Sequence, residues 1–126
     1  MPDLAFRFPA VPESISLARQ TVDRLVGEVE TEQLEVLRLL VSETVTNSVL
    51  HAKGAETVDV RLSLGRGVIR LEVEDGGPGF RRPRGVPREG GGWGLVLVDR
   101  LARRWGVRSG PQTTVWLELD RYGRTA

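Results

Sequence analysis

Leu37-Arg-Leu-Leu-Val-Ser-Glu-Thr-Val-Thr-Asn-Ser-Val-Leu-His-Ala52 is the stretch around which the rest of the chain can be read. Leu37, Leu40, Val41, Val45, Val49 and Leu50 carry the spacing of a core-facing helix. Glu43, Asn47 and His51 recur every four residues, so they form a slowly turning polar stripe beside that apolar face. A carboxylate one turn before a carboxamide can serve two partners at once, a reacting proton and a metal ion. Taken alone, the same pattern also describes a half-buried helix with a solvated edge. The glycine pattern downstream decides between them.

Upstream, Leu4 to Phe8 alternates apolar and polar residues and predicts a half-buried strand closed by Pro9 and Pro12. Ile15, Leu17, Ala18, Val22, Leu25, Val26 and Val29 predict a first helix over about Glu13 to Glu30. Thr31 is the expected N-cap of the second helix, with Glu32 in its first turn, and Gly54 its expected end. Downstream, Thr57–Leu64 and Val68–Glu74 alternate around Gly65-Arg66-Gly67 and predict a hairpin. Residues 76 to 92 hold seven glycines, three prolines and four arginines, the composition of a loop long enough to cover a site. Helical spacing returns from Trp93 to Arg104, and strands are expected over Trp105–Ser109 and Thr114–Leu119. The order β, α, α, β, β, loop, α, β, β predicts an α+β fold. We expect a two-layer sandwich with a mixed, mostly antiparallel sheet and all helices on one face.

Composition narrows the classes of function. The 126 residues suit one domain over 1–126, with 40% apolar and 28% charged residues as in ordinary globular proteins. A net charge of +1 gives no global field for nucleic acid or a membrane surface. The absence of cysteine excludes disulfides and thiolate metal sites. No apolar run approaches a membrane span, and no basic-then-apolar leader opens the chain, so a cytoplasmic location is expected. Lys53 is the only lysine, so arginine carries nearly all the positive charge. Without an aromatic residue between the arginines of the 76–92 loop, we read them as solvated or phosphate-facing and expect no direct nucleic-acid contact.

Two glycine clusters flank that loop. Asp75-Gly-Gly-Pro-Gly79 follows a strand directly, where glycine lets a flat ligand approach the main chain and the aspartate can accept a hydrogen bond from an exocyclic amine. A plain turn has the same composition. Gly90-Gly-Gly-Trp-Gly94 leads into a helix, where bare backbone amides suit an anion, although a hinge would look alike. Neither is a Walker loop or a dinucleotide fingerprint, because no Gly-Lys-Ser/Thr follows and no βαβ unit surrounds them. The Gly110-Pro-Gln-Thr-Thr114 turn adds a threonine that can reach a base or a phosphate.

In combination these motifs resemble the Bergerat-fold ATP-binding superfamily of type II topoisomerases, sensor histidine kinases, mismatch-repair ATPases and a heat-shock chaperone. Within it they are most similar to small anti-sigma regulatory factors with serine-kinase activity. The matching segments are Glu43-x-x-x-Asn47-x-x-x-His51-Ala52, Asp75-Gly-Gly-Pro-Gly-Phe80, Gly92-Trp-Gly-Leu-x-Leu-Val98 and Thr114-Val-Trp-Leu-Glu118. The resemblance implies a single histidine kinase-like ATPase domain that binds ATP and Mg2+. Asn47 would ligate the metal, and Glu43 would be the general base toward an attacking hydroxyl. Asp75 would read the adenine amine, with Thr114 near the same base. Gly77 and Gly79 would let the base pack on the chain, and Gly92, Trp93, Gly94 and Leu95 would line the phosphates. His51 is expected only to hydrogen-bond near the helix end. The resemblance departs at Gln112-Thr113, where many relatives carry a basic residue, and the lid is short as in the anti-sigma branch.

What the resemblance implies about activity is serine phosphorylation of an anti-anti-sigma partner, together with binding of a sigma factor, commonly by a homodimer; the first helix, outside the nucleotide motifs, is the surface expected to meet a second copy or a partner. The alternative is a module that binds ATP without chemistry. The catalytic half of a histidine kinase is disfavoured, since His51 lies inside the nucleotide motif and no helical hairpin carries a phosphoacceptor.

Overall fold

The computed structural model describes residues 3–51, 56–75 and 93–122. The strands are β1 (Asp3–Pro9), β2 (Thr57–Leu64), β3 (Val68–Asp75), β4 (Arg104–Arg108) and β5 (Thr114–Asp120). The helices are α1 (Glu13–Gln20), α2 (Thr31–His51) and α3 (Trp93–Leu101). One sheet takes the order β1-β2-β3-β5-β4, and every neighbouring pair is antiparallel. The expected α+β sandwich is therefore present, with a wholly antiparallel sheet.

Alternation along the strands explains the two faces. Val58, Val60, Leu62 and Leu64 of β2, Ile69, Leu71 and Val73 of β3, and Leu117 and Leu119 of β5 point into one core. That core is closed by Ala18, Val22 and Leu25 from the first helical segment and Leu37, Leu40, Val41 and Val45 from α2. The other face is laced with ion pairs. Arg70 bridges Glu72 and Glu118 at 2.9 and 3.0 Å, and Arg61 reaches Glu72 at 3.2 Å. An uncovered antiparallel sheet tolerates such a polar face. Among the described residues no helix is long and apolar enough to cross a membrane.

The first helix departs from expectation. It is helical only to Gln20, continues as a 3₁₀ turn over Thr21–Leu25, and stops at Val26, whose ψ of 131° is extended. Gly27 follows at φ 90°, a conformation costly for any side chain, and turns the chain toward α2. The predicted helical face therefore does not run through: Leu17 and Val26 are exposed. Arg38 ties the 3₁₀ turn to α2 through Asp23 at 2.9 Å and also meets Glu35 at 2.7 Å. The hydrogen bond to Asp23, foremost, holds its guanidinium above the ordinary arginine pKa.

The second helix starts at its expected cap, one residue earlier than expected. The Glu30 carbonyl already accepts from the Leu34 N–H at 2.9 Å, so Thr31 is the first helical residue. Of its expected core positions Leu37, Leu40, Val41 and Val45 are fully buried, Val49 is half-buried, and Leu50 is exposed. Gly54 lies outside the described residues. The third helix ends at Leu101, three residues short of expectation, because Arg103 and Arg104 are drawn to the sheet: the Arg103 N–H donates to the Glu118 carbonyl at 2.7 Å, and β4 begins at Arg104. The hairpin and the last strand stand where alternation put them.

Candidate functional site

The central helix α2 packs on β2, β3 and β5 and is flanked by α1 and α3. Its start is pinned to the end of β5: the Gln33 amide donates to the Asp120 carbonyl at 2.5 Å, and the Glu30 N–H donates to the Arg121 carbonyl at 3.3 Å. From Gln33 to Asn47 the helix rises roughly 21 Å at 1.5 Å per residue. Along β3 from Val68, the partner of Asp120, to Asp75 the strand covers roughly 23 Å. Asn47 is thereby carried level with Asp75, at the end of the sheet opposite the Gly65 turn.

At that end β3 and β5 hold the second group of polar residues. The Asp75 N–H donates to the Thr113 carbonyl at 3.0 Å, which places these two residues side by side. Asp75 is 5% and Thr113 5% exposed. Asp75 pairs with Val58 across β2 and so shares the helix-facing side of the sheet. Thr114, the expected base-side threonine, pairs instead with Glu74, on the face that carries Glu72, Trp116 and Glu118. Thr113 is therefore the threonine beside Asp75, whereas motif reading alone chose its neighbour Thr114. Strand register is the signal that finds it, since a shift of one residue exchanges faces.

Within α2 the polar residues divide by what they touch. Thr44 and Thr46 donate their hydroxyls back to the Leu40 and Ser42 carbonyls at 2.7 and 2.6 Å, which settles them as helix-internal. Asn47 is only 8% exposed, and Glu43 one turn earlier is half-buried. Among the described residues, neither the Asn47 carboxamide nor the Glu43 carboxylate enters a hydrogen bond or ion pair with the protein. A largely buried amide whose polar atoms still reach the surface and have no internal partner is open to a ligand or to water. An amide oxygen is a hard donor suited to Mg2+, and among the described residues no cluster of three His, Cys, Asp or Glu could cage a metal. The donor set fits a metal held by one amide oxygen, water and the phosphates of a nucleotide.

The third expected group is in part described. Trp93, Gly94 and Leu95 form the first turn of α3, whose first amides have no partner within the helix and whose dipole is positive at this end. The helix ends beside Glu118 and packs on α2. Its length of roughly 12 Å matches the distance along β5 from Glu118 back to Thr114, which returns its first turn to the Asp75 end. Gly77, Gly79 and Gly92, and the side chains of His51 and Trp93, lie outside what the structure describes.

Comparison with known proteins identifies the family. The family model of the histidine kinase-like ATPase domain matches residues 8–119. The chain is 32% identical to an anti-sigma F factor of Geobacillus stearothermophilus, over 92% of this chain and 90% of the relative. It is 31% identical to a serine-protein kinase RsbW of Listeria innocua, over 78% of this chain and 74% of the relative. Among solved structures, one of the RsbU and RsbW domains of a Mycobacterium tuberculosis protein superposes with a TM-score of 0.74 at 20% identity. That match covers all of this chain and 35% of the other, and at that identity it shows the fold.

Proposed function

The chain belongs to the histidine kinase-like ATPase domain family, in its anti-sigma and serine-kinase-like branch, and from that premise we propose that it is an Mg-ATP-dependent serine-protein kinase that also acts as an anti-sigma factor. The observation that carries this reading is Asn47: a nearly buried carboxamide uncommitted within the described protein, level with the Asp75–Thr113 pair and one turn from Glu43.

The adenine would lie at Asp75, whose carboxylate accepts from the exocyclic amine, with Thr113 at its side. Guanine presents a carbonyl oxygen at the equivalent position and would be rejected by an acceptor facing an acceptor. Asn47 would hold the metal, which when bound draws charge from the phosphate oxygens. Gly92, Gly94 and the first amides of α3 would receive the phosphates. Glu43 would take the proton of a seryl hydroxyl as that oxygen bonds to the γ-phosphorus and ADP departs. The protein's contribution to such a transfer is mainly positioning and charge. The substrate class is a small anti-anti-sigma protein, as the family resemblance implies, and the second partner is a sigma factor, in keeping with the name of the anti-sigma relative.

The test is transfer of labelled γ-phosphate to candidate anti-anti-sigma proteins, with wild type beside Glu43→Ala. Transfer lost in the variant while nucleotide binding persists supports the kinase reading. Tight nucleotide binding without transfer by wild type to any candidate leaves regulation by binding alone, and equal transfer by both proteins removes Glu43 from the chemistry.

A further inference from the structure

The third helix is held to the rest of the domain by few contacts. Among its described side chains Val98 alone is fully buried, Leu95 and Leu97 are half-buried, and Val96 and Leu101 stand 43% and 39% exposed. It packs chiefly on α2 and meets the sheet at β4. Asp99 and Arg100 are its described polar side chains. Of the two, only Asp99 makes a hydrogen bond among the described residues: its Oδ1 accepts from the Trp105 indole Nε1–H at 2.9 Å.

Trp105 is a fixed anchor for that bond. It stands on the helix-facing side of β4, pairs with Leu117 of β5, and packs its half-buried ring against the core. Asp99 and Trp105 lie on either side of the corner where α3 gives way to β4. Two backbone bonds close that corner, from the Ala102 N–H to the Val98 carbonyl at 2.8 Å and from the Arg103 N–H to the Glu118 carbonyl at 2.7 Å. The backbone bonds fix where the helix ends, and the indole–carboxylate bond fixes the angle at which it leaves the sheet.

For the helix taken alone, Asp99 is misplaced. It lies in the last turn, where the dipole is negative and an acid destabilises. A residue that breaks a local rule in this way is explained by a partner outside its element. The angle that the partner sets matters at the other end of α3. From Asp99 back to the first turn the helix extends roughly 9 Å, so a tilt of about 10° about the corner moves the first amides by roughly 1.5 Å. Displacement on that scale takes an amide out of hydrogen-bonding range of a phosphate oxygen.

We infer that Asp99 and Trp105 are positioning residues for phosphate binding: their hydrogen bond sets the tilt of α3 and so aims its first amides. Both act through the helix and not by contact with the nucleotide. This inference rests on the nucleotide reading above, in which those amides receive the phosphates.

Calorimetric titration of ATP and of adenosine, with Mg2+, into wild type, Trp105→Phe, Asp99→Ala and the double variant tests it. Trp105→Phe keeps an aromatic ring in the same packing and loses only the donor, while Asp99 is exposed, so its replacement leaves the fold intact. Each single variant should lose about tenfold in ATP affinity and hold adenosine within about twofold, because only the phosphates meet α3. The double variant should bind ATP within about twofold of either single variant, as expected when both changes remove one bond. Asp99→Asn, which keeps an acceptor oxygen, should return ATP affinity to within about threefold of wild type. A merely structural role predicts the opposite for Asp99→Ala, which would relieve the helix C-terminus and leave ATP affinity unchanged. Unchanged ATP affinity in both single variants, equal losses for ATP and adenosine, or losses that add in the double variant would each overturn the positioning role. Wild type that binds no adenine nucleotide would overturn the site and the tether together, whereas wild type that binds ATP beside unaffected variants overturns the tether alone.

Discussion

Asn47 and Glu43 sit one helical turn apart and separate by what their loss should do. Asn47→Ala removes the amide oxygen assigned to the metal, and Mg-dependent affinity for ATP should fall about 100-fold. Glu43→Ala should leave that affinity within about threefold while phosphoryl transfer drops by roughly 10² to 10⁴. Rapid-mixing transfer assays beside equilibrium binding distinguish the two, and equal losses in both properties would refute the division of roles. A second residue-scale prediction follows from strand register. Thr113→Ala should weaken adenine-nucleotide binding more than Thr114→Ala, because Thr113 lies beside Asp75 whereas Thr114 faces Glu74. Competition with a fluorescent nucleotide reads this directly, and the reverse order would sink the assignment. The places of Glu43 and Asn47 on α2 and of Asp75 at the end of β3 were legible from motif spacing, since helical period and strand ends locate them. The choice between two adjacent threonines was not, because both fit a strand-entry turn and only pairing tells the faces apart.

At the scale of elements, sequence reading succeeded where one period ran unbroken. β2 and β3 alternate for eight residues each, and their boundaries followed to within a residue. The first helix failed where two local effects combined, a 3₁₀ turn at Thr21–Leu25 and a left-handed Gly27, neither of which interrupts the apolar spacing. Gly27→Ala should therefore destabilise the protein by about 1 kcal/mol, read as a lowered denaturant midpoint, since alanine at φ 90° is strained. β4 carries a different use of glycine. A Cβ on Gly106 would meet the Trp116 ring at 2.7 Å. That ring is held in turn by Arg70 and Arg104, whose guanidinium carbons lie 4.6 and 5.6 Å from its centre. Gly106→Ala should cost roughly 1–3 kcal/mol through displacement of the tryptophan. Tryptophan fluorescence should shift with it, and unchanged emission and stability would contradict the contact.

Across the whole molecule, the proposed nucleotide site and an arginine clasp lie at opposite ends of the sheet. At the end away from Asp75, Arg121 is 11% exposed on its side chain and joins three segments. Its guanidinium donates to the Glu28 carbonyl at 2.7 Å, the Gly65 carbonyl at 2.9 Å and the Glu28 carboxylate at 3.0 Å. Its N–H donates to the Gly67 carbonyl at 2.9 Å. Arg121→Ala should lower stability by about 2–3 kcal/mol, because it strands acceptors that water replaces incompletely. ATP affinity measured well below the melting temperature should not change, as the clasp lies a full strand length from Asn47. The layered architecture and the central helix α2 were legible in the sequence, because hydrophobic period and motif order are local. The Arg121 clasp was not, since it joins residues 56 and 93 positions apart. The measurement that bears most directly on the central claim is calorimetric titration of ATP, ADP and GTP into wild type and Asp75→Asn, with and without Mg2+. The account predicts adenine nucleotides bound over GTP, tighter with magnesium, with the preference over GTP reduced in the variant. Absent binding, or GTP bound as well as ATP by wild type, would contradict an adenine pocket at Asp75.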